Sequence, residues 1–164
     1  MNNILFETVE NVKNILEDEY KKLTVEKATL GLFFSGVKLS SGHGGLCFTP
    51  IKEIPEAVCC PSSAAAMPLS GKLSGRKVSD YIDDIFKENI LRKTLGIAAL
   101  NALSTYCWDI QKEKDYEILT GKDAFDEVSF SKEDKVVVVG ALTPIIKRLI
   151  KQGNDFKNTY KFRG

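Results

Sequence analysis

Apolar positions open the chain at three- and four-residue steps. Ile4, Leu5, Val9, Val12, Ile15, Leu16, Tyr20 and Leu23 recur with Glu7, Glu10, Lys13, Glu17 and Lys21 between them. That period predicts an amphipathic helix over residues 4–23. From Val25 the pattern changes to short apolar and β-branched runs broken by glycine, at 28–34, 37–39 and 45–48. We expect an antiparallel meander there, with turns at Ser35-Gly36 and around Ser40-Ser41-Gly42. Residues 50–75 are rich in Pro, Ser, Gly and Ala and cannot sustain a long helix. Ser79 is placed to cap a helix over 80–88, with Asp80 and Asp83 near its positive end. A second helix is predicted over 91–108, and its centre at 95–103 is apolar on nearly every face, as in a helix buried between other elements. Its small residues would let neighbouring backbones come close.

Residues 110–134 are polar, with turn-forming stretches at 120–123 and 131–134, and are read as a linker. Lys135-Val136-Val137-Val138-Val139-Gly140 then has the continuous apolar character of a strand buried on both faces in a parallel sheet. Thr143 and Pro144 suit the cap and first position of a helix that Gly153 would end, and residues 156–162 can supply a second strand. The alternation predicts an α+β domain over 1–120, followed over 121–164 by the first βα unit of a parallel α/β sheet.

Composition narrows the function classes. Lys and Arg number 23 against 22 Asp and Glu, so no basic field exists to concentrate a phosphate backbone, and nucleic-acid binding is not expected. The N-terminus has no secretory pattern, and the uncharged run 94–108 is too short to span a bilayer, so we expect a cytoplasmic protein with no membrane partner. Cys47, Cys59, Cys60 and Cys107 are then reduced thiols.

Four segments in order, Gly42-His43-Gly44-Gly45, the helix centre from Gly96 to Leu103, Gly121-Lys122-Asp123-Ala124-Phe125 and the valine strand from Lys135 to Gly140, resemble the prokaryotic family described as "Putative heavy-metal chelation" over essentially the whole chain. The resemblance implies a first domain similar to the N-terminal domain of enolase, a Rossmann-like second domain, and a site in the crevice between them. It also implies that the second domain stops after about one βα unit, where the family continues with several more. A homo-oligomer or a separately encoded C-terminal domain would then cover the valine strand.

Candidate chemistry follows from residue types. His43, Cys59 and Cys60 are the candidate ligands of a divalent or heavy-metal ion, since imidazole and thiolate suit soft and borderline metals, and the alternative reading of the cysteines is as buried structural thiols. His43 and Cys47, by contrast, would lie roughly 13 Å apart along a strand, too far to share one ion. Gly42, Gly44 and Gly45 either bring backbone close to a ligand or simply form a hairpin turn. Asn101, alone among apolar neighbours, needs a partner from backbone or ligand. Gly140 and Thr143 lie where a strand runs into a helix N-terminus, a place where α/β sheets bind ligands, although no Gly-x-Gly-x-x-Gly or P-loop pattern is present. Carboxylate pairs such as Asp83-Asp84 and Asp126-Glu127 are most simply solvated charges, and Ser62-Ser63 lacks a base partner or nucleophile elbow. Three functions remain open: a binder of metal or a small molecule at the crevice, an enzyme in which His43 or Asp123 transfers a proton, and a fragment inactive until a partner docks.

Overall fold

In a computed structural model, residues 3–50, 71–111, 119–140 and 142–158 are described. Contacts divide the chain into two compact units, residues 1–114 and 115–164.

The first unit opens with α1, Ile4–Leu16, started by the Asn3 side chain accepting from the Leu5 N–H at 3.1 Å. Val9, Val12 and Leu16 line its buried stripe. The predicted single helix is broken at Glu17, whose φ of 47° stops α1 before α2, Asp18–Lys22, resumes and buries Tyr20. Three antiparallel strands follow in the order β1, Val25–Thr29, β2, Phe34–Leu39, and β3, Gly44–Phe48. The expected meander is present, with one turn displaced. Gly36 does not turn the chain; it lies in mid-strand between Thr29 and Leu46. The first turn is formed at 30–33, where a Cβ on Gly31 would meet the Phe34 carbonyl oxygen at 2.4 Å. The second closes at Gly42, with φ of 89°, as expected.

Alternation along β2 sends Ser35, Val37 and Leu39 into the core. Ser35 and Thr49 satisfy each other there by a hydroxyl–hydroxyl bond of 2.7 Å. Helix α3, Val78–Asp84, starts two residues earlier than predicted and without Ser79 as cap. The Val78 N–H donates to the Leu23 carbonyl at 3.0 Å, so backbone does the work assigned to a side chain, and Val78 is free to be fully buried. Helix α4, Ile90–Ile110, is capped by Asn89 accepting from the Arg92 N–H at 2.9 Å. It lies against β3, β2 and α3 at backbone distance. A Cβ on Gly45 would meet Ala98 O at 2.2 Å and Ala102 N at 2.4 Å, and one on Gly96 would meet Tyr81 O at 2.5 Å. The small residues of α4 therefore permit the close packing that the sequence suggested. Asn101, Thr105 and Trp108, however, form an exposed stripe, so α4 is not buried on every side.

In the second unit α5, Ala124–Glu127, precedes β4, Val136–Val138, α6, Thr143–Gln152, and β5, Phe156–Asn158. Strands β4 and β5 pair in parallel, Val136 with Phe156 and Val138 with Asn158. Val138, Ile145 and Leu149 form the core, flanked by Phe130, Val136, Ile146 and Phe156. The strand expected to be buried on both faces is buried on one: Val137 and Val139 are exposed, since α6 covers only the face to which Val138 points. Leu142, not Thr143, is the N-cap, and it makes no side-chain bond; Thr143 and Pro144 are the first helical residues. Gly153 ends α6 in the left-handed conformation, φ 72°.

Candidate functional site

The outer face of the first sheet is built by the residues that alternate out of its core: Lys27 and Thr29 on β1, Gly36 and Lys38 on β2, Gly44 and Leu46 on β3. Glycine at two of these positions, Gly36 and Gly44, leaves the middle of the face without side chains. The result is an open trough of about 640 Å³ floored by Gly36, Gly44 and Gly45, with Lys27, Thr29 and Lys38 on β1 and β2, and Leu46, Asn101 and Thr105 on β3 and α4.

The trough reaches the free edge of the sheet. Leu39 N donates to His43 O and Thr49 N to Phe33 O, so odd-numbered residues of β3 face β2 and the backbone groups of Gly44, Leu46 and Phe48 face away. Asn101 spans this edge: its Nδ2 donates to the Leu46 carbonyl at 2.8 Å, while Thr105 Oγ1 donates to the Asn101 carbonyl at 3.1 Å. The partner that the sequence required for Asn101 is therefore strand backbone, and the side chain is exposed, not enclosed. Lys27 and Lys38 are directly opposed on neighbouring strands, an arrangement of like charges that costs stability. Glu26 Oε2 lies 2.8 Å from Lys38 Nζ and offsets part of it. None of the trough-lining residues is acidic.

Of the expected ligand residues, Gly44, Gly45 and Asn101 come together here. Gly42 serves the hairpin instead, its N–H donating to Leu39 O at 2.9 Å. His43 projects away from the trough. Its ring stacks on Tyr106 at 4.6 Å between centroids, Nε2 lies 3.0 Å from Asp109 Oδ2, and Nδ1 lies 2.9 Å from Ser41 Oγ. Since the Asp109 carboxylate only accepts, Nε2 carries hydrogen, and the Nδ1 lone pair of a neutral ring is taken by the Ser41 hydroxyl. Asp123 caps α5, accepting from the Phe125 N–H at 2.9 Å. Gly140, with φ of 94°, and Thr143 belong to the second unit, at the β4-to-α6 turn.

Metal ligation finds little in the described residues. Burial pushes the thiols of Cys47 and Cys107 up from their ordinary range, which reduces the thiolate a metal would need. Among the described residues no group of three His, Cys, Asp or Glu side chains is placed to hold an ion. Cys59 and Cys60 lie outside the described residues. No helix among the described residues is long and apolar enough to cross a membrane.

Ser41, Tyr106, Asp109, Lys27, Lys38 and Thr105 were not picked out from the sequence. A signal existed for two groups of them. Asn101, Thr105 and Asp109 stand four residues apart on an apolar helix, and Lys27-x-Thr29 and Gly36-x-Lys38 keep the two-residue step of an outward strand face.

The family described as "Putative heavy-metal chelation" matches residues 13–104. Among solved structures the chain is similar to a protein of unknown function from the DUF364 family of Pyrococcus horikoshii, at 19% identity and a TM-score of 0.62, covering 95% of this chain and 56% of that one. It is also similar to a DUF364 protein of unknown function from Desulfitobacterium hafniense DCB-2, at 17% identity and a TM-score of 0.53, covering 94% of this chain and 60% of that one. The chain thus spans less than two thirds of either structure, and the likeness is one of fold. No curated protein matches it.

Proposed function

Because the chain belongs to the family described as "Putative heavy-metal chelation", we propose that it binds a heavy-metal ion carried within an anionic small-molecule chelate, seated in the trough of the first unit. One observation carries this reading: the trough presents ammonium groups, a side-chain amide, hydroxyls and outward strand N–H groups, and no carboxylate, imidazole or thiolate. Such a surface repels a bare cation and suits an anion. A metal already wrapped in a carboxylate-bearing ligand joins the family description to that donor set. Lys27 and Lys38 hold the charge, Gly36, Gly44 and Gly45 let the ligand lie against backbone, and Asn101 and Thr105 bound it at the α4 side.

The site draws on the first unit alone; Gly140 and Thr143 take no part in it. The antiparallel meander with its helices supports an enolase-N-terminal-like assignment of the first unit, and the parallel βαβ of the second supports a Rossmann-like one. Direct ligation by His43 with Cys59 and Cys60 would first have to break either the Ser41 bond to Nδ1 or the Asp109 bond to Nε2.

Isothermal titration of the protein with cadmium–EDTA, with EDTA alone and with free cadmium ion tests the proposal. The expected result is binding of the chelate, weakened at least tenfold in Lys27→Gln/Lys38→Gln and by added salt. Tight uptake of the free ion, unchanged in the lysine variant, would overturn it. A second reading, an enzyme using His43, is favoured by the hydrogen-bonded run from Ser41 through His43 to Asp109. Turnover lost in His43→Gln but kept in the lysine variant would select it.

A further inference from the structure

The same outer face has an apolar end that neither the trough nor the core uses. Leu32, Phe33, Phe34, Leu46 and Phe48 are between 62% and 71% exposed. They are contiguous: Phe34 pairs with Phe48 across β2 and β3, their rings meeting edge to face at 6.3 Å, and Leu46 stands over Gly36, whose added Cβ would lie 3.0 Å from the Leu46 Cδ2. Leu32 and Phe33 extend the patch into the β1–β2 turn. No charged residue occurs between Ala28 and Val37 or between Leu39 and Pro50, so nothing along these segments breaks the surface.

Size decides what covers it. An aromatic side chain carries roughly 150–250 Å², so three phenylalanines and two leucines at these exposures present on the order of 600 Å². That reaches the upper end of what a monomer usually leaves open, about 300–600 Å². Two such patches face to face would bury about 1,200 Å², the lower limit for a specific dimer. Being uncharged, the patch is its own complement and needs no matching partner charge. Strand addition at the β3 edge is disfavoured, because Asn101 already holds the Leu46 carbonyl in the middle of that edge.

The geometry points to a second copy of this chain as the occupant: a two-fold dimer formed face to face through Phe34, Leu46 and Phe48, with the Phe33 turn at its rim. Lys27 and Lys38 lie at the opposite end of the sheet face, and Leu46 marks the boundary between the dimer contact and the trough. The contact is of a size that gives concentration-dependent association.

Sedimentation velocity of the full chain, from low micromolar to several hundred micromolar, tests this. The expected result is a mass rising toward twice the monomer, with Phe34→Ser and Phe48→Ser each weakening association at least tenfold and the double variant remaining a monomer. Phe48→Leu should retain most of the association. Since the altered side chains are exposed, circular dichroism should show every variant folded. A wild-type chain that stays monomeric throughout would overturn the proposal, whether its own remaining residues or another partner covers the patch. A dimer unchanged in the double variant would overturn it equally.

Discussion

Replacing Gly45 by alanine probes the closest contact in the first unit. The new Cβ would stand 2.2 Å from Ala98 O, 2.4 Å from Ala102 N and 3.0 Å from Asn101 C, all backbone atoms of α4. Ordinary contact begins at 3.4 Å, so β3 and α4 must separate by about 1.2 Å (3.4 less 2.2) at a point where neither has a flexible group to yield. Overpacking of a core costs about 1–3 kcal/mol, and a backbone-to-backbone clash belongs at the upper end. Alanine returns roughly 0.5–1 kcal/mol by restricting the unfolded chain. The net loss is about 2 kcal/mol, which at about 1–3 kcal/mol per molar of urea moves the unfolding midpoint down by roughly 1 M. Trp108, the single tryptophan, lies in α4 and reports this unfolding by fluorescence. Gly44→Ala is the control: its Cβ would have only Val37 O at 3.7 Å, an ordinary contact, and the midpoint should stay or rise slightly. Equal midpoints for the two variants, or a Gly45→Ala midpoint matching the wild type, would refute the close approach on which the trough depends.

Asn101→Leu should lose about 1 kcal/mol by urea unfolding, the net value of one hydrogen bond whose carbonyl partner can turn to water, and should also loosen the trough edge so that amide exchange quickens at residues 46–48. His43→Ala removes the Tyr106 stack and both ring bonds; a loss of about 1–2 kcal/mol is expected, mostly from stacking, and Asp109→Asn should cost well under 1 kcal/mol because Asp109 is exposed. Burial, with Asp83 and Glu10 adding to it, pushes the Tyr20 phenol up to about 12 from 10.0. The folded chain thus favours the neutral phenol, and its stabilising contribution, complete below pH 10, should fade between pH 10 and 12. The difference in urea midpoint between wild type and Tyr20→Phe should narrow or reverse over that window, and a constant difference would contradict the burial. Raised thiol values at Cys47 and Cys107 predict that both react with a maleimide more slowly at neutral pH than a free cysteine does.

How far the sequence disclosed this structure depends on the range of the interaction that decided each feature. The three meander strands, α4 and the βαβ order were legible because apolar period and glycine punctuation are local. The turn was assigned to Gly36 in place of Gly31 because a glycine beneath a neighbouring leucine leaves the same mark in sequence as a glycine in a turn. Ser79 lost its cap to the Leu23 carbonyl, a partner more than fifty residues earlier that no local rule can supply. Asn101 stands out in the sequence as needing a partner, and Gly44 and Gly45 as permitting close approach or a turn, so three of the ten residues that line the trough were legible. Lys27 and Lys38 were not, since their pairing is a matter of strand register. His43 was singled out for its chemistry, yet Asp109 and Tyr106, which fix it, lie more than sixty residues away.

The trough as an anion-binding surface is the claim on which the functional reading stands. The most direct measurement is the amide NMR spectrum of isotopically labelled protein titrated with cadmium–EDTA, a diamagnetic and coordinatively saturated anionic chelate. Progressive shifts confined to Lys27, Gly36, Lys38, Gly44, Gly45, Leu46 and the Asn101 side-chain amide are predicted. A spectrum that stays still at these positions, or that moves only around His43, would contradict the account.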